Sequence, residues 1–191
     1  MEKAVGIYGG TFDPIHLGHL ITAQLVLEKR NLKKIIFVPC NISPFKINEN
    51  HTLANHRLNM TRLAITDYPQ FDISDYEIEK GEVSYTIDTL RMLSRYYAKM
   101  ELIIGFDNLL LFHKWKESDE IIKLAKLTVL NRKSENNFKP NKYFRLANFV
   151  NTPIIEISSS MIRERIKNNL PIDFLVPQKV QNYIKANGLY K

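Results

Sequence analysis

Two histidines three residues apart, His16 and His19, follow a glycine pair in the string Gly9-Gly10-Thr11-Phe12-Asp13-Pro14-Ile15-His16-Leu17-Gly18-His19. These residue types in this order suit the binding of an anion. A short apolar run, Ala4–Tyr8, precedes the string, and an amphipathic segment, Leu20 to Arg30, follows it. The layout is strand, glycine turn, helix. Glycines let the backbone approach a ligand with no Cβ in the way. The start of a helix leaves N–H groups unpaired, which seats a phosphate. Residues three apart on a helix share a face, so both imidazoles can reach one anion held over the helix end. A histidine pair can also bind a metal, but apart from distant Asp residues no third Cys, His or carboxylate sits at ligand spacing nearby.

A second junction of the same kind lies near the end of the chain, Ile157-Ser158-Ser159-Ser160-Met161-Ile162-Arg163. Read by itself it is an N-cap followed by an exposed helix. Its hydroxyls and free amides also suit phosphate, and Arg163 can fork onto phosphate oxygens. Between the two junctions, Asp107 follows a strand-like run and could accept hydrogen bonds from a ribose diol. Trp115, flanked by Lys114 and Lys116, offers a flat face for stacking on a base.

The elements that must position these residues alternate apolar strands with amphipathic helices, the pattern of an α/β fold with a parallel sheet. Strands are expected at Ala4–Tyr8, Lys34–Val38, Phe71–Glu79 (with Asp75 a possible break), Glu101–Ile104, Leu127–Asn131 and Ile154–Ile157. Helices are expected at Leu17–Arg30, Leu53–Asp67, Thr86–Tyr97, from Asn108, Ser118–Lys126, Ser160–Asn168 and Pro177–Asn187. Ser118 reads as an N-cap, Ser84 or Thr86 as another, Pro177 as a first-turn residue and Gly188 as a C-terminal cap. Lys133–Lys142 reads as an exposed loop. Ligands of open α/β sheets bind at the carboxyl ends of the strands, where strand order reverses, so the segments after strands one, two, four and six should converge.

At 191 residues the chain suits one domain, residues 1–191, with the helices from about 160 packed on it. Its hydrophobic fraction of 45% and aromatic fraction of 10% are those of a globular protein. No apolar run reaches membrane-spanning length, and no signal-peptide layout opens the chain. The single cysteine, Cys40, suits a reducing cytoplasm. The net charge of +7 fits either nucleic acid or small polyanions such as nucleoside triphosphates, but the basic residues are scattered and no nucleic-acid module is visible.

The early string resembles the T/H-x-G-H signature of the nucleotidyltransferase superfamily, and in its full length it is similar to the nicotinate-mononucleotide adenylyltransferases. The resemblance runs nearly end to end, weakest across Lys133–Ala147. It implies a Rossmann-like, doubly wound parallel sheet with helices on both faces. It also implies transfer of an adenylyl group from ATP to a pyridine mononucleotide, with pyrophosphate released and Mg²⁺ on the triphosphate. Gly9, Gly10, Thr11, Phe12 and Gly18 would contact ATP, and His16 and His19 would stabilise charge on its phosphates.

The late junction resembles the family's Ile-Ser-Ser-Thr-x-Ile-Arg, with Ser160 where Thr is usual, which implies phosphate roles for Ser159, Ser160 and Arg163. Pro39-Cys40-Asn41-Ile42-Ser43-Pro44-Phe45-Lys46 is similar to a family loop, departs from it at Ser43 and Phe45, and implies Lys46 as a mobile cation; Arg57 matches an Arg near that loop. Ser84-Tyr85-Thr86-Ile87-Asp88-Thr89-Leu90 is similar to a string that implies Tyr85 and Thr86 in a pyridine pocket with Trp115. Gly105-Phe106-Asp107, with Phe106 replacing a small residue, implies Gly105 at the ATP site and Asp107 on the ribose, and Arg132 matches an Arg on the adenine side. No protein ligand of Mg²⁺ is implied. Other acceptors remain open, nicotinamide mononucleotide or phosphopantetheine, as does a non-enzymatic nucleic-acid binder. Oligomeric state is not readable from the chain.

Overall fold

The computed structural model describes residues 2–45, 51–130 and 139–191. The run Ile35-Ile36-Phe37-Val38 shows why a sheet forms. Successive side chains of a strand point to opposite faces, and here every one is apolar and buried. Ile35 and Phe37 enter one core, while Ile36 and Val38 enter the other. A strand of this kind is stable only between two layers of helices.

The strands are β1 (Val5–Gly10), β2 (Ile35–Pro39), β3 (Phe71–Ile73), β4 (Met100–Gly105), β5 (Lys126–Leu130) and β6 (Ala147–Val150). The helices are α1 (Leu17–Lys29), α2 (Ala54–Ile65), α3 (Tyr76–Lys80), α4 (Thr86–Leu93), α5 (Phe106–Leu111), α6 (Ser118–Leu124), α7 (Ser159–Lys167) and α8 (Gln178–Ala186). The sheet runs β3-β2-β1-β4-β5-β6 with every pairing parallel. On one face lie Ala23 and Val26 of α1, Met60 of α2, Ile162 of α7 and Ile184 of α8. On the other lie Leu90 of α4, Leu109 of α5 and Ile121 of α6. Strand order reverses between β1 and β4, so a crevice forms at their carboxyl ends.

Several expected elements move. The last strand is Ala147–Val150, paired in register with β5 from Leu127 to Leu130, and residues 154–157 carry no regular structure. The third strand stops at Ile73, and Tyr76–Lys80 is a helical turn that Gly81 ends with a φ of 73°. The first strand continues through Gly10, and the helix from Thr86 ends at Leu93. Ser118 does not cap α6: Glu117 occupies that position, and the Ser118 hydroxyl pairs with that of Tyr143 at 2.6 Å. Neither Ser84 nor Thr86 caps α4, whose N-cap is Tyr85. The Ser84 hydroxyl instead accepts from the Asn41 N–H at 2.9 Å. Gly188 follows α8 with a φ of 60°, the conformation a helix end requires.

Candidate active site

A cavity of about 790 Å³ opens at the carboxyl ends of β1 and β4. Gly9 and Gly10 of β1 and Ile104 and Gly105 of β4 form its floor. A Cβ on Gly9 would meet nothing closer than the Val38 carbonyl at 4.0 Å, and one on Gly105 would meet nothing within 4 Å. Side chains there would fill the cavity itself. Gly10 has a different reason to be glycine: a Cβ would sit 2.8 Å from the ring of Phe12. Phe12 is buried with a φ of 50°, a conformation that costs a non-glycine residue about 1–3 kcal/mol and persists only when its surroundings hold it. They do: its ring meets Tyr8 edge-on with centroids 5.8 Å apart, and His19 edge-on at 5.1 Å.

The imidazoles of His16 and His19 stack, with centroids 3.7 Å apart. Burial pulls the pKa of His16 down to about 4. Burial, together with the neighbouring His16 ring, pulls His19 well below the usual imidazole range. Both rings are therefore neutral at pH 7 in the free protein, and each can donate one N–H. The His16 backbone N–H donates to Nδ1 of His19 at 3.3 Å, a network that assigns the His19 proton to Nε2. Nδ1 of His16 is buried and has no hydrogen-bond partner among the described residues. Gly18 completes the motif: a Cβ there would lie 3.0 Å from His16 Nδ1 and 3.4 Å from Ile155. Thr22, one turn beyond His19, lines the cavity as well.

The second helix mouth faces the same space. Ser158 and Ser159 line the cavity. The Ser158 hydroxyl accepts from the Met161 N–H at 3.1 Å, capping α7, and the Ser159 hydroxyl donates to the Pro14 carbonyl at 2.9 Å. Ser160 and Arg163, expected as direct phosphate ligands, are not among the residues that line the cavity. Nη1 of Arg163 donates to the Asp13 carbonyl at 2.7 Å, and Nη2 reaches the Ser160 hydroxyl at 3.4 Å. One edge of this guanidinium braces the glycine turn.

Asp13 is the junction of that brace. It is 3% exposed, and its carboxylate accepts from the Tyr190 hydroxyl at 2.7 Å and the Thr52 N–H at 3.2 Å. Burial alone would raise its pKa, but the Tyr190 and Thr52 donors and the charge of Arg163 hold it below the usual carboxylate range. Arg57, expected to touch substrate, is corrected by the structure. It is 1% exposed and lies outside the cavity lining, and its guanidinium donates to the carbonyls of Thr52, Thr11, Cys40 and Asn41 at 2.6–2.9 Å. A loop whose carbonyls point inward needs such a donor, and Arg57 ties the turn after β1 to the loop after β2.

At the far end of the cavity stand Tyr85 and Thr86 at the start of α4, with Asp107 and Trp115. Trp115 rests on Phe112 with centroids 5.0 Å apart, and its indole N–H is buried without a partner among the described residues. Asp107 sits in the first turn of α5, where negative charge is favoured. Thr11 lines the cavity too. The structure thus gathers both histidines, the four glycines, Thr11, Phe12, Ser159, Tyr85, Thr86, Asp107 and Trp115 around one space. Lys46 and Arg132 lie outside the described residues. Thr22 was legible in principle, since His16, His19 and Thr22 recur every third position along one helix face. Among the described residues no group of three His, Cys, Asp or Glu side chains converges as a metal site.

A parallel sheet in this order, with a glycine turn and a serine-bearing helix mouth opening on one crevice, defines a nucleotide-binding α/β protein of the nucleotidyltransferase type. The family described as cytidylyltransferase-like matches residues 7–165. The chain is 43% identical to a "Probable nicotinate-nucleotide adenylyltransferase" of Caldicellulosiruptor bescii, with 98% of each chain covered. It is 40% identical to the "Nicotinate-nucleotide adenylyltransferase" of Bacillus subtilis, with 99% of each covered. Its fold matches that of the Plasmodium falciparum nicotinic acid mononucleotide adenylyltransferase, solved in complex with NaAD, at a TM-score of 0.78 and 22% identity, covering 99% of this chain and 98% of that one. The chain belongs to the nicotinate-nucleotide adenylyltransferase family.

Proposed function

We propose that this protein transfers the adenylyl group of ATP to the 5′-phosphate of nicotinate mononucleotide, forming nicotinate adenine dinucleotide and pyrophosphate. The observation that carries this reading is the shared cavity, with the paired imidazoles after β1 on one side and the serine mouth of α7 on the other. Family membership supports the choice of reaction. A phosphate monoester is already an anion at neutral pH, so the attack needs no protein nucleophile. An oxygen of the mononucleotide phosphate bonds to the α-phosphorus of ATP. The bond from that phosphorus to the bridging oxygen breaks, and pyrophosphate leaves with the electron pair.

The protein's part is positioning and charge stabilisation. Good orientation of two reactants is worth roughly 7–11 kcal/mol. The neutral imidazoles donate N–H groups to phosphate oxygens and add no desolvated cation to the site. The Ser159 N–H and the other free amides of α7 receive phosphate from the other side, while Arg163 holds the turn. Lys46 supplies a further cation and Arg132 the adenine side, as the family resemblance implies. Asp107 takes a ribose diol, and Tyr85, Thr86 and Trp115 enclose the pyridine. Mg²⁺ arrives with the triphosphate as part of the substrate. The partners are then small molecules, met in the cytoplasm.

Pyrophosphate release is measured with ATP and each of nicotinate mononucleotide, nicotinamide mononucleotide and 4′-phosphopantetheine. The expected order places nicotinate mononucleotide first by kcat/KM. Preference for phosphopantetheine, or no release with any acceptor, contradicts the reading.

A further inference from the structure

Lys116 lines the cavity beside Tyr85, Thr86 and Trp115. Its ammonium lies 4.4 Å from the centroid of the Tyr85 ring. The acids near it are already claimed by other cations. Asp88 is held by Lys80 at 2.9 Å, and Glu117 is forked by Arg91 at 2.5 and 3.2 Å. The charge of Lys116 still reaches both carboxyls and helps to lower their pKa values, yet it forms no ion pair among the described residues. Glu77, which lines the same cavity, is buried and accepts from the Thr89 hydroxyl at 2.5 Å, and burial pushes its carboxyl up towards the neutral form. Lys116 therefore brings to this end of the cavity a cation on a flexible stem that makes no ion pair among the described residues.

We propose that Lys116 is a specificity-determining residue that favours an acceptor ring bearing a carboxylate over the same ring bearing a neutral amide. The inference rests on the adenylyl-transfer reading above and goes further by naming the side chain that separates two acceptors of nearly equal shape. A carboxylate in reach of the ammonium gains a charge-assisted hydrogen bond, whereas an amide gains an ordinary one. The four-carbon stem lets the head follow the ligand without moving the backbone. The Tyr85 ring covers one side of the ammonium and keeps water from that side.

The test compares the wild type with Lys116→Met, Lys116→Gln and Lys116→Arg. The readout is the ratio of kcat/KM for nicotinate over nicotinamide mononucleotide, measured at low and high salt. Removing the charge should lower this ratio about fivefold, chiefly through a raised KM for the acid, with the KM for ATP little changed. Arginine should restore most of the ratio, and added salt should lower it in the wild type more than in the Met and Gln variants. A ratio within about twofold of wild type in both charge-removing variants overturns the proposal. Lys116 is exposed, so these variants should keep the wild-type melting temperature, and loss in one of the two by misfolding leaves the other to decide. A wild-type protein inactive with both mononucleotides sinks the adenylyl-transfer reading and this proposal together. A wild type that prefers the acid, with variants that prefer it equally, refutes Lys116 alone.

Discussion

Replacing Gly18 by alanine separates the placement of the imidazoles from the stability of the fold. The new methyl would lie 3.0 Å from Nδ1 and 3.1 Å from Cε1 of His16, a few tenths of an ångström inside ordinary contact. His16 has little room to retreat, because its other neighbour is the His19 ring at 3.7 Å between centroids, and His19 is backed by Phe12 at 5.1 Å. The strain must move the imidazole pair. A misplacement of about 1 Å can cost on the order of a hundredfold in rate, so a shift of roughly half that predicts a loss of about tenfold or more. Stability responds in two opposing ways. Alanine in a helix gains about 0.5–1 kcal/mol over glycine, and overpacking costs about 1–3 kcal/mol. The net loss is at most about 2.5 kcal/mol, a fall in Tm of roughly 5–10 °C for a chain of this length. Initial rates of pyrophosphate release at saturating substrates, beside a thermal melt, measure both. A Gly18→Ala protein that melts close to wild type and retains wild-type kcat would refute the claim that His16 placement controls turnover.

His19→Ala should lower kcat about a hundredfold or more with the melt preserved, since a lost donor of this kind typically costs ~3–4 kcal/mol; near-normal turnover removes His19 from the chemistry. Tyr190→Phe removes a hydroxyl from the Asp13 carboxylate and should cost about 1.5–3 kcal/mol in urea unfolding at pH 7. Because Asp13 is held below the usual carboxylate range, that contribution is complete above its unfolded-state pKa and is lost as pH falls through the depressed folded value, so the gap between the two proteins should close in acid. A gap independent of pH would place the effect elsewhere. Arg57→Met leaves four inward-facing carbonyls without their donor and should destabilise by about 3 kcal/mol or more, read from the urea midpoint; a variant as stable as the wild type contradicts the structural role given to Arg57.

The central strands were legible because burial on both faces leaves unbroken apolar runs, as at Ile35–Val38. The last strand was not, because apolar content reports burial and not strand pairing. Ile154-Ile155 reads as a strand, but Ile154 is 52% exposed and Ile155 packs against the Gly18 region as part of the cavity wall. The strand that forms, Ala147–Val150, lies at the sheet edge with Phe149 43% exposed, and its composition is weakly apolar for that reason. The two helix mouths could be read locally, each being a strand-to-helix junction with donors in place. The braces behind them could not. Tyr190 meets Asp13 across 177 positions, and Arg163 meets it across 150, so neither contact leaves a local pattern. Arg57 reads by resemblance as a substrate contact beside a loop, and only the folded path of four carbonyls shows that it belongs inside.

The claim on which the rest depends is that one triphosphate is gripped from both sides of the crevice between β1 and β4. A crystal structure of this protein with a non-hydrolysable ATP analogue and Mg²⁺ tests it directly. The expected density places phosphates within hydrogen-bonding distance of both His16 or His19 and the Ser158–Ser159 mouth of α7. A nucleotide bound elsewhere, or one whose phosphates touch neither element, would contradict it.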